Sequence, residues 1–71
     1  MAHYYISFEL NGKEHYCTGE SSYPSEYLVR TNTVDYGILE ENVYDFIKTY
    51  MNLHSLCGRV NPKTVVFRYE L

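Results

Sequence analysis

From His3 to Leu10 the chain alternates polar and apolar residues, whereas from Ile38 onward the apolar residues recur at intervals of three and four. An alternation of two belongs to a half-buried strand, and a repeat of about 3.6 belongs to a helix with one buried stripe. The two segments therefore commit the chain to a mixed architecture.

In the first segment Tyr4, Ile6, Phe8 and Leu10 share one side, and His3, Tyr5, Ser7 and Glu9 share the other. Asn11-Gly12 follows, a pair that takes the positive φ values of a tight turn, and Lys13 to Thr18 is extended again. This predicts an N-terminal β-hairpin. Two registers fit it. A two-residue turn sets Leu10 against Lys13, Phe8 against His15, Ile6 against Cys17 and Glu9 against Glu14, the last a like-charge pair. A three-residue loop ending on Gly12 pairs Glu9 with Lys13, Ser7 with His15 and Ile6 with Tyr16. The choice sends His15 and Cys17 to opposite faces. Charge pairing and the burial of Tyr16 favour the longer loop, with His15 facing outward.

Gly19 to Ser25, GESSYPS, reads as a loop. Tyr27 to Thr31 has strand propensity and is expected as a third strand, although Pro24-Ser25-Glu26 is also a way to open a short helix. Between Ile38 and Cys57, Leu39, Val43, Phe46, Ile47, Tyr50 and His54 line one face of a long helix. Glu40 and Glu41 then occupy its first turn, and Gly58 stands where a terminating residue is wanted. Asn61-Pro62 ends the helical region, and Lys63 to Leu71 alternates once more, with Val65, Phe67, Tyr69 and Leu71 on one side. The expected fold is a single α+β domain over residues 1–71, in which one amphipathic helix covers one face of a small sheet of three or four strands.

The chain has 71 residues, a size at which one compact core must supply the stability. No stretch reaches the roughly 18 apolar residues of a membrane span, and MAHYYISFEL has no basic region followed by an apolar run. A cytoplasmic location is the expectation, with Cys17 and Cys57 as free thiols. The net charge of −3, with six Lys and Arg scattered singly, disfavours binding to a phosphate backbone. Nine tyrosines and no tryptophan supply apolar rings whose hydroxyls need a partner or water, a composition suited to contact surfaces.

Chemical motifs are few. His15-x-Cys17 and His54-x-x-Cys57 together make an N₂S₂ set of the kind zinc accepts, but buried cysteine and border histidine are the ordinary reading. Cys17 beside His15 has no third orienting group, and a body of this size has little room to enclose a substrate. Gly12, Gly19, Gly37 and Gly58 are isolated, so no phosphate loop is present, and each is expected in a turn or cap. No cofactor and no catalytic residue are expected.

The remaining candidates are surfaces. Glu40, Glu41 and Asp45, with Asp35 before them, gather charge near the helix start, where carboxylates can stand in for phosphates against a basic groove. Tyr5, Tyr23, Tyr36 and Tyr44 lie outside the predicted core faces. Sheet edges offer strand pairing with a partner or a second copy. A third route is RNA or single-strand binding by stacking on Tyr5, Tyr16 and Phe67, which the charge balance opposes.

The hairpin NGKEHYCTGE followed by a helix and a last strand resembles a ubiquitin-like β-grasp domain in element order. The tail reads RYEL and not Gly-Gly, so the tail chemistry of that family is not implied. In kind, a short, acidic, tyrosine-rich domain without a catalytic motif resembles the small inhibitors of phages and mobile elements, anti-CRISPR proteins among them. The expectation is a non-enzymatic protein-binding module, with Glu40, Glu41, Asp45, Tyr44, Tyr36 and Tyr5 as contact residues.

Overall fold

The computed structural model describes residues 1–71. Strand β1 (Ala2–Leu10) pairs antiparallel with β2 (Lys13–Ser21) on one side and with β3 (Val66–Glu70) on the other, giving the order β2-β1-β3. Helix α1 (Glu26–Arg30), helix α2 (Tyr36–Leu53) and a 3-10 turn (Pro62–Thr64) connect β2 to β3. The α+β architecture and the single long helix match the sequence expectation.

Central placement explains the burial of β1. Ala2, Tyr4, Ile6, Phe8 and Leu10 are all buried, and Tyr4, Ile6, Phe8 and Leu10 had been expected there from the alternation. They meet Leu39, Val43 and Ile47 of α2, which are buried in turn. Phe46 and Tyr50 pack on this core but remain half-exposed, Tyr50 because its hydroxyl bonds to the His15 ring at 3.0 Å.

The hairpin takes the two-residue turn, contrary to the register favoured from sequence. Ile6 faces Cys17, Phe8 faces His15 and Glu9 faces Glu14. Asn11 and Gly12 both adopt positive φ, 53° and 79°, the backbone of the turn whose twist matches a hairpin. Across the sheet this register also puts Gly19 on the helix side, opposite Tyr4. The Phe46 ring lies directly on it: a Cβ at Gly19 would stand 2.3 Å from Phe46 Cδ1. Gly19 is thus a strand residue at a close approach, not the start of a loop, and β2 runs on to Ser21. Tyr16 points to the other face, 67% exposed, in the place foreseen for His15.

The segment expected as a third strand, Tyr27 to Thr31, is helical. Ser25 caps α1 by accepting from the Leu28 N–H at 3.3 Å, so the helix-opening reading of Pro24-Ser25-Glu26 wins over strand propensity. A short helix needs no sheet edge to satisfy its backbone.

Helix α2 begins two residues earlier than expected, because Asp35 acts as N-cap and accepts from the Gly37 N–H at 2.8 Å. Glu40 and Glu41 therefore sit in the second turn. It also ends earlier: Ser55, at φ 53°, is the left-handed terminator, with the Leu56 N–H bonded to the Met51 carbonyl at 2.8 Å. Gly58 lies beyond that stop, against Asn11. The last strand is shorter than the Lys63–Leu71 alternation, since Asn61 caps a 3-10 turn over Pro62–Thr64 before β3 starts.

Two outcomes are expected. Gly19→Ala should cost about 1–3 kcal/mol in urea unfolding, because the methyl group must displace the Phe46 ring. In a Phe46→Ala background the same change should cost much less, and equal costs in both backgrounds would refute the contact. Ser55→Gly should raise stability by about 0.5 kcal/mol, the left-handed backbone being easier for glycine.

Candidate functional site

Helical geometry sorts the outer residues of α2 into rows. Leu39, Val43 and Ile47 form the buried row. Tyr36, Glu40 and Tyr44, four apart, form the row beside it, and Gly37, Glu41, Asp45 and Lys48 face away from the sheet. The first of these outer rows meets Pro62, Val65 and Phe67 across a hollow of about 170 Å³. Tyr36 is 64% exposed, with its ring 5.9 Å from Phe67. Tyr44 is half-buried against the core.

The charges of this surface are unpaired within the molecule. The ion pairs are Arg30–Glu26 and Arg68–Glu70, with a His3–Glu20 hydrogen bond at 3.2 Å, and none includes Glu40, Glu41 or Asp45. Asp35 spends its side chain on the helix cap. The start of α2 is fixed from below by tyrosines: the Tyr4 hydroxyl donates to the Tyr23 carbonyl, and the Tyr23 hydroxyl accepts from the Asp35 N–H at 2.6 Å. Burial pushes the Tyr4 hydroxyl above its ordinary pKa. Asn42 adds donors to Tyr4 Oη at 3.4 Å and Ser21 Oγ at 3.3 Å. The helix that carries the acidic face is therefore tied to the core at its start. Tyr23, expected to lie outside the core faces, is half-buried and packs on the core.

Next to this face, a groove of about 560 Å³ opens alongside β3, lined by Tyr36 and Leu39 of α2 and by Val65, Phe67 and Tyr69 among others. Its origin is the lie of α2 on the sheet: the helix backbone runs close to β2 over more of its length than to β1, and over little or none of it to β3. Phe67 and Tyr69 stay half-exposed in consequence. Sequence reasoning placed these residues on the core side of the last strand but had no signal for their incomplete cover.

Tyr5 does not belong to this surface. It lies on the face of the sheet that carries no helix, with the Arg68 guanidinium 4.1 Å above its ring and the His3 ring at 4.8 Å. Tyr16 and Val66, both largely exposed, flank the neighbouring Ser7 around a shallow hollow of about 310 Å³ that Tyr5 also lines. Glu14 raises the Tyr16 hydroxyl pKa, first through a hydrogen bond and then through its charge. Phe67 turns to the opposite face, so Tyr5, Tyr16 and Phe67 do not form one stacking platform. Val66 and Arg68 were missed as surface residues, since the last strand was read for its inner side alone.

The His and Cys residues are dispersed into different roles. His15 stacks on Phe8 at 5.7 Å and bonds Tyr50, and His54 packs on the other side of Tyr50 at 4.4 Å. Cys17 is buried and Cys57 exposed, both free. No group of three or more His, Cys, Asp or Glu side chains is arranged to hold a metal ion, so the N₂S₂ set of His15, Cys17, His54 and Cys57 is not assembled. Desolvation pushes the Cys17 thiol up to about 11, which withholds the thiolate a nucleophile needs. No helix is long and apolar enough to cross a membrane.

Compared with protein-family models, curated proteins and solved structures, the chain has no match. The resemblance to the β-grasp order finds no counterpart among solved structures.

In the native protein, a thiol reagent at neutral pH should modify Cys57 at least about 100-fold faster than Cys17, which should react only on unfolding. Cys17 should also make stability fall as pH rises from 9 to about 11. Over that window the unfolded thiol has lost its proton and the folded one has not. Cys17→Val should flatten that part of the pH profile, and an unchanged profile would contradict the burial of the thiol.

Proposed function

We propose that this chain is a non-enzymatic protein-binding module that occupies a basic, nucleic-acid-handling surface on its partner. In kind it acts as the small inhibitors of phages and mobile elements do. The observation that carries the reading is the set of exposed carboxylates Glu40, Glu41 and Asp45, free of internal ion pairs and flanked by Tyr36 and Tyr44. Carboxylates fixed on a helix compete for Lys and Arg that otherwise meet phosphates. Aromatic rings beside them supply apolar contact with few rotatable bonds to immobilise.

Three features support the non-enzymatic side of the reading. The Cys17 thiol, two residues from His15, is buried with a raised pKa. His15 is engaged by Tyr50, not by a carboxylate that would orient it as a base. Every hollow on the molecule is an open depression and not an enclosed chamber.

Immobilised protein should retain a basic nucleic-acid-binding protein from a bacterial lysate and release it as salt rises. Replacing Glu40, Glu41 and Asp45 together by Lys should reduce that retention about tenfold or more, with little change in thermal unfolding. Equal retention by the folded triple variant would discard the acidic face as the contact.

A further inference from the structure

We infer that the outer edge of β3 is a strand-docking site for an extended partner segment with apolar side chains at alternate positions and a Lys or Arg at one end. The inference deepens the protein-binding reading and rests on it for the basic character of the partner.

The first observation is the state of the edge. Residues Val66 to Glu70 pair with β1 on one side only, and no loop or side chain of the molecule bonds their backbone on the other. An edge of this kind presents unsatisfied N–H and C=O groups in the spacing of a strand. The second is the groove beside it. A strand added about 4.8 Å from β3 would turn every second side chain toward the helix side. Those side chains would enter the apolar space under Tyr36 and Leu39, against Phe67 and Tyr69. Backbone pairing supplies affinity in such complexes, and the groove selects the alternate side chains.

The other edge lacks the second feature. The inner positions of β2 are His15, Cys17 and Gly19, closed over by Tyr50 and Phe46. No groove runs along its helix side.

Charge selects the end group. The groove shares Tyr36, Val65 and Phe67 with the smaller hollow lined by Glu40 and Tyr44. A Lys or Arg at the segment end beside Val65 can lay its aliphatic stem along the tyrosines and bring its charge to Glu40. Glu40 has no internal cation to compete.

The probe is a fluorescein-labelled seven-residue peptide alternating Val and Thr between terminal lysines. Saturable binding is expected, with amide hydrogen exchange slowed in Val66–Glu70 and unchanged in Lys13–Ser21. Two further peptides carry N-methyl groups on the Val amides or on the Thr amides. Since alternate amides of a strand point to opposite sides, one should bind roughly tenfold more weakly and the other nearly as well as the parent. Exchanging the terminal lysines for Glu should weaken binding, by less in the Glu40→Gln protein. Equal binding by both methylated peptides, absence of saturable binding, or protection at β2 or the helix-free face would each overturn the inference. Sedimentation as a dimer with β3 already protected would overturn it too, by giving the edge to a second copy. Failure of the peptide while lysate retention still depends on Glu40, Glu41 and Asp45 removes the docking edge alone. Peptide binding with charge-independent retention removes the acidic-face reading instead.

Discussion

Phe46 can rest against the backbone of β2 because Gly19 offers no side chain there, and this contact sets how α2 lies on the sheet. With the ring seated, the helix comes down on β2 and β1, and Leu39, Val43 and Ile47 close the core over the inner row of β1. A helix roughly 10 Å across cannot cover three strands with equal closeness once it is drawn to one side. The uncovered remainder falls at β3. The groove and the half-exposed Phe67 and Tyr69 are thus the counterpart of a tight contact at the far edge.

Tyrosine does two kinds of work in this frame. Tyr4 buries its ring, Tyr23 and Tyr50 half-bury theirs, and the three hydroxyls bond the Tyr23 carbonyl, the Asp35 N–H and the His15 ring, respectively. No buried side-chain polar atom is left without a partner. In a domain of 71 residues such bonds also fix where each element starts. Tyr16, Tyr27 and Tyr36 by contrast remain 67%, 71% and 64% exposed, and only Tyr36 stands beside both a groove and a set of free carboxylates. That coincidence separates it from the other two.

The local outlines were legible in the residues because they depend on short-range periodicity. The alternation from His3 to Leu10 and the helical spacing of Leu39, Val43, Phe46, Ile47 and Tyr50 identified β1 and α2 and most of the core between them. Boundaries moved where a single polar group took over: Asp35 started α2 early, Ser55 stopped it early, and Ser25 turned an expected strand into α1. The acidic set on α2 was legible as well, since Glu40, Glu41 and Asp45 are near neighbours on one helix.

The hairpin register was not. Pair energies across β1 and β2 alone favoured the longer loop, but the decision depended on which residue of β2 would lie beneath a ring nearly thirty positions further on. A strand carries no local record of what will cover it, so the sequence determined β1, α2, their buried faces and the charge of α2. Only the assembled structure decided that Gly19 meets Phe46, that Tyr5 and Tyr36 belong to different surfaces, and that β3 keeps an open edge. Those outcomes follow from contacts between residues far apart in the chain, which no local periodicity records.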